Sequence, residues 1–199
     1  MTDGLNTEYL DTLELPGLNL EVYAENRLAE KARRLLEDAA RLWSEFLALA
    51  RKEGIFETWG LTPNEGQTLE VELHWLGNRS IQTLNREYRD KDSATDVLTF
   101  TLFADQHDPA AWASLPVVQL GSICISIEWA EVEVSKNPAL DLRRYLLERF
   151  AHGLLHLLGV HHDTMEQFNR VVRLQQLLLD SVFNQIDRSQ NPVAGLKPE

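Results

Sequence analysis

Four of the six histidines in this 199-residue chain fall in one run, AHGLLHLLGVHHD, residues 151–163. His152 and His156 are four apart, so on a helix both imidazoles project from one face, close enough to share a metal ion. Gly159 follows and can take the left-handed conformation that ends a helix. The chain then turns back, and His162, ten positions after His152, can supply a third ligand. Three neutral imidazoles on a divalent ion, with one position open, are the layout of a catalytic zinc site. A lone histidine on an apolar helix is usually a packing residue. Several on so apolar a stretch are costly unless something satisfies their ring nitrogens. Zinc leads on ligand type, although imidazole also suits nickel, copper and iron.

The same spacing occurs in the protease pattern H-E-x-x-H-x-x-G-x-x-H. Here Gly153 stands where those enzymes keep a glutamate as general base. Without that carboxylate, water activation and proton delivery to a leaving amine are lost. The metal scaffold is kept and the protease chemistry is absent.

AHGLLHLLGVHHD resembles the H-G-x-L-H-x-x-G-Y-D-H signature of the YbeY family of bacterial metal-dependent endoribonucleases. LNREYRDKDSATDVLTF and LGSICIS are similar to two further blocks of that family, in the same order. The resemblance spans roughly Leu69 to Asp163. It implies a single-strand-specific, metal-dependent endoribonuclease of rRNA maturation, including processing of the 3′ end of 16S rRNA, and of ribosome quality control. It implies His152, His156 and His162 as zinc ligands and Arg89 as the arginine of catalysis or RNA contact. It also implies ribosomal RNA or a ribosomal subunit as partner, with a ribosomal protein as a further candidate. Val160 and His161 replace the family's Tyr-Asp, Ala94 its proline, and Ser122 its aspartate. His161 then becomes a candidate for a supporting group or proton shuttle near neutral pH. Asp96 could orient a ligand histidine or Arg89, or could simply cap its loop. Arg89 offers a planar fork to phosphate oxygens, and its alternative is an ion pair with Asp90, Asp92 or Asp96. A non-hydrolytic assembly or RNA-binding factor with a structural metal is the competing reading. An open coordination position favours the enzyme.

The elements that must position these residues read as an α/β (α+β) protein, with one small mixed sheet covered by helices. Residues 1–17 read as an irregular acidic arm, 18–186 as a single metallohydrolase domain, and 187–199 as a disordered tail. Leu18, Leu20, Val22 and Ala24 alternate as a half-buried strand. From Asn26 to Glu53 the period turns helical, with Gly54 as C-cap. Leu69, Val71, Leu73 and Trp75 predict a second strand whose wet face carries a solvated His74. A short helix around Ile81–Tyr88 follows, then strands at VLTFTLF and VVQLGSICISI. Cys124, inside the last strand, reads as a small hydrophobe. His107 has no nearby partner and is given no role. Two helices, from about Leu140 to Leu158 and from about Thr164 to Asn184, flank the histidine turn.

Nineteen basic residues against 31 acidic ones give a net charge of −12, which argues against a sequence-blind polycation that coats nucleic acid or membrane. The acidity is uneven. Residues 1–30 hold seven acids and one arginine, whereas residues 139–176 hold five arginines and four acids. One cysteine excludes a disulfide framework. No signal-peptide pattern and no apolar run of membrane-spanning length occur, so a cytoplasmic protein is expected.

Overall fold

The computed structural model describes residues 6–63, 65–102 and 112–190. Among these, five strands form one sheet: β1 (Thr7–Leu15), β2 (Leu18–Glu25), β3 (Thr68–Leu76), β4 (Val97–Thr101) and β5 (Val117–Ser126). Their order is β1-β2-β3-β5-β4. β1 and β4 are antiparallel to their neighbours, and β2, β3 and β5 run parallel. The helices are α1 (Ala29–Arg33), α2 (Leu36–Lys52), α3 (Asn78–Arg89), α4 (Ile127–Lys136), α5 (Leu142–Leu157) and α6 (Met165–Gln190). A mixed sheet covered by helices is therefore the architecture, as the pattern predicts.

The period-2 alternation divides the sheet into two unlike faces. Leu18, Leu20, Val22, Leu69, Val71, Leu73, Ile123 and Ile125 point into the main core, which Trp43, Phe46, Phe150, Leu154 and Leu174 of α2, α5 and α6 complete. A smaller cluster on the other face, Leu76, Ile81, Leu84, Leu98 and Cys124, holds α3 against β4 and β5. Burial pushes the Cys124 thiol up to about 12, which fits an inert packing residue. Asp38 of α2, 2% exposed, is paired by both oxygens with Arg143 of α5 and ties these two helices together.

Five expectations change. Residues 7–15, read as part of an irregular arm, are β1, which pairs with β2 from Thr7↔Glu25 to Leu15↔Leu18 around Pro16–Gly17. Only Leu10 of β1 is buried, so its order comes from backbone pairing and leaves little apolar alternation to read. The expected helix from Asn26 to Glu53 is broken. A 3₁₀ turn (Asn26–Leu28) and α1 precede α2, and the Leu35 N–H bonds to Ala32 O at 2.9 Å at the joint. The buried stripe of Ala32, Leu35, Ala39 and Leu42 runs through the break, so periodicity does not reveal it. α4 was not anticipated; its signal is Ser126, whose Oγ accepts from the Trp129 N–H at 3.1 Å as an N-cap.

His74 is the fourth correction. It is 2% exposed rather than solvated, because its ring stacks on Tyr23 at 4.8 Å and its Nε2 lies 3.2 Å from Glu72 Oε2. At the other end of the chain, α6 continues through residues 187–190, which the pattern placed in the tail. His107 and residues 191–199 lie outside the described residues. No helix among the described residues is long and apolar enough to cross a membrane.

Candidate metal centre

α5 begins at Asp141, whose side chain accepts from the Arg144 N–H at 2.7 Å. It ends at Leu158–Gly159, where the N–H groups of Gly159 and Val160 bond to the carbonyls of His156 and Leu155. Gly159 has φ +70°, and a β-carbon there would lie 2.7 Å from Trp59 Cζ2. The residue therefore has to be glycine both for the turn and for the indole packed on it. Trp59 Nε1 also donates to Leu158 O at 2.9 Å, fixing the turn that brings residues 161 and 162 back over the helix.

This turn places His162 against His152 and His156. The ring centroids are 4.3 Å apart for His152–His156, 4.9 Å for His156–His162 and 5.4 Å for His152–His162. One nitrogen from each of the three can be chosen so that all lie within 4.8 Å of one another. His152 Nε2 and His156 Nε2 are 2.8 Å apart. A tetrahedral ion with Zn–N bonds near 2.05 Å asks for about 3.3 Å between ligand nitrogens, inside the observed spread. His161 is exposed on the rim, its ring 5.6 Å from His156, and is not part of the converging group.

The electrostatics suit a cation. Burial holds His152 below the usual histidine range. Burial first, then the neighbouring His152 and His162, lower His156 to about 3. Both shifts favour the neutral imidazole, the form that can bind a metal ion. His152 Nδ1 faces Gln175 Oε1 of α6 at 3.4 Å, and Gln175 Nε2 donates to Glu148 O at 3.3 Å. With its Nδ1 hydrogen turned to Gln175, His152 keeps an Nε2 lone pair aimed at the centre. These residues fit a divalent ion.

The histidines form one wall of a cleft of about 340 Å³. Val97, Thr99 and Thr101 of the edge strand β4 form another wall, and His161 and Arg89 its rim. Arg89 is the last residue of α3, which Asp90 terminates in the left-handed region at φ 56°. It reaches the cleft around the β4 edge from the opposite face of the sheet. Among the described residues no hydrogen bond or ion pair holds its guanidinium, and Asp90, Asp92 and Asp96 do not engage it.

Asp96 is used elsewhere. Its Oδ1 accepts from the Val97 N–H at 2.9 Å and from Thr95 Oγ1 at 3.1 Å, and its Oδ2 pairs with Arg149 at 2.9 Å. Arg149 lies three residues before His152 on α5 and packs over the Tyr145 ring at 4.7 Å. Asp96 thus anchors α5 to the start of β4, and among the described residues no hydrogen bond joins it to a histidine. Sequence reasoning missed both Arg149 and Gln175. Their signals were a cation one turn before the first ligand and a polar residue within the apolar stripe of α6.

A family model described as endoribonuclease YbeY matches residues 32–182. Three similar proteins carry the same name. One from a Synechococcus strain is 35% identical over 122 residues, covering 61% of this chain and 65% of its own. One from Acaryochloris marina is 39% identical, covering 57% and 64%. One from Listeria welshimeri is 31% identical over 173 residues, covering 84% and 97%. The chain thus spans a little under two thirds of the first two relatives and nearly all of the third.

Proposed function

Since the chain belongs to the YbeY family, as the match over residues 32–182 shows, we propose that it is a metal-dependent endoribonuclease cutting single-stranded segments of ribosomal RNA. The observation that carries this reading is the convergence of three histidines in a cleft that Arg89 also lines, a cation with no protein partner among the described residues. Structural zinc sites are closed by four protein ligands, and the group here has three among the described residues, which supports a catalytic role.

His152, His156 and His162 would hold the ion, zinc by ligand type, with nickel or another divalent ion as the alternative. When bound, the ion supplies Lewis acidity toward a phosphoryl oxygen and a lowered pKa for water. Gln175 fixes the His152 tautomer, and the Arg149–Asp96 pair fixes the helix that carries it. Arg89 binds non-bridging phosphate oxygens in its planar fork and offsets the charge that accumulates on them. His161, which also lines the cleft, would move a proton between solvent and the leaving oxygen. The acidic chain repels RNA in general, so selection rests on shape, on unpaired bases or on a ribosomal protein. Acting on ribosomal RNA, the protein would work in the cytoplasm.

The test is to load the protein with zinc, incubate it with rRNA carrying single-stranded segments, and map the ends. Cleavage should disappear in His156→Ala together with the metal, measured by elemental analysis. Intact RNA with the loaded parent protein overturns the nuclease, and unchanged metal content in the variant overturns the ligand set.

A further inference from the structure

We propose that Phe168 is a stacking subsite for an unpaired nucleobase of an RNA strand whose phosphate enters the histidine cleft; the proposal rests on the nuclease reading above. Phe168 lies in the first turns of α6, yet it contributes nothing to the core. It is 47% exposed, beside Met165 at 72% and Val172 at 47%. The spacing i, i+3, i+7 sets the three on one line along the helix, while Val171, Leu174 and Leu178 face inward.

That line lies on the flank of α6 that serves the histidines. The Phe168 ring is 6.3 Å from that of His162 and nearly perpendicular to it, at 82°. Seven residues on, two turns along the same flank, Gln175 reaches His152. Gln167 and Arg170, on another side of the helix, line a neighbouring hollow with Trp59, Gly159 and His161, the last of which also lines the histidine cleft. An aromatic ring half in water thus adjoins a cleft whose polar groups are suited to phosphate.

The occupant follows from this pairing of chemistries. An unpaired nucleotide has a flat π surface next to an anion, and such bases are recognised by stacking on exposed aromatics. Three side chains interrupted by the polar Glu166 and Asn169 are too few for a stable protein–protein face. The net charge of −12 also removes most of the affinity that non-specific phosphate binding would give, so a base contact has to supply it.

The test uses the full chain, zinc-loaded, titrated with single-stranded RNA containing 2-aminopurine, whose fluorescence is quenched on stacking. Phe168→Leu keeps an apolar side chain and removes the π face. It should weaken binding roughly 5- to 150-fold and abolish the quench, whereas Phe168→Trp should retain both. Duplex RNA should bind equally to all three. Equal binding and quench in the leucine variant overturns the subsite. So does a Phe168-dependent self-association with RNA binding unaltered, which would make a second copy the occupant. Cleavage, read separately, distinguishes the two proposals. A protein that stacks RNA through Phe168 without cutting it sinks only the nuclease. One that cuts normally with leucine at 168 and unchanged binding sinks only the subsite, and a parent protein that binds no RNA sinks both.

Discussion

Gly153 of α5 rests directly on Ile123 of β5: a β-carbon at position 153 would stand 2.7 Å from Ile123 Cγ2 and 2.9 Å from Cδ1. The position between the two helical histidines therefore faces the sheet, and a glutamate side chain could not be housed there without moving α5 off β5. The missing protease glutamate is thus a packing requirement of this fold as well as a difference in chemistry.

Gly153→Ala should cost about 1 to 3 kcal/mol by overpacking, measured by urea denaturation. Ile123→Val in the same chain should recover part of it, since a contacting methyl group is removed. An alanine variant as stable as the parent would show that α5 can move off the sheet.

Gln175→Leu preserves the size of the side chain and removes the acceptor facing His152 Nδ1. Zinc affinity, read by competition with a chelator, should fall about 10- to 100-fold, as is typical when a ligand histidine loses its outer partner. Undiminished affinity would mean that the 3.4 Å contact does not orient the ring.

Arg89→Ala should leave the zinc content intact and lower the RNA cleavage rate about 100- to 1,000-fold, the usual scale for removing one stabilising donor. Arg89→Lys should recover only a fraction, because an ammonium does not reproduce the planar fork. Full activity in the alanine variant would remove Arg89 from the mechanism.

Glu72 gives a pH-dependent stability. Hydrogen bonds from His74 and then Ser122, the latter at 2.6 Å, hold its carboxyl at about 2 against an ordinary 4.5, with burial opposing them. A lowered carboxylate pKa contributes stability above the ordinary value and loses it as pH falls toward the folded value. Glu72→Gln should therefore cost about 1 to 3 kcal/mol at pH 7, the lower end reflecting partial solvent screening. The gap from the parent should close between pH 4.5 and 2, as thermal melts across that window would show. A gap independent of pH would point to lost packing instead.

The candidate ligand set was legible in the sequence because it is local. Helical geometry brings residues four apart together, and one glycine returns the chain, so His152, His156 and His162 need no distant contact to be read as a group. The strands β2, β3, β4 and β5 were legible for a similar reason, since each carries its own alternation or β-branched run. β1 was not, because it is held by backbone pairing and buries only Leu10. His74 was misread because strand alternation states which face a residue takes and not what covers that face; Tyr23, from a neighbouring strand, covers it. Asp96 with Arg149, Gln175 with His152, and Arg89 across the β4 edge from the histidines are pairs separated by tens of residues. The sequence alone determined which atoms could bind a metal. Only the packing of α5 against the sheet, and of α6 against α5, decided which side chains fix those atoms in place and which arginine shares their cleft.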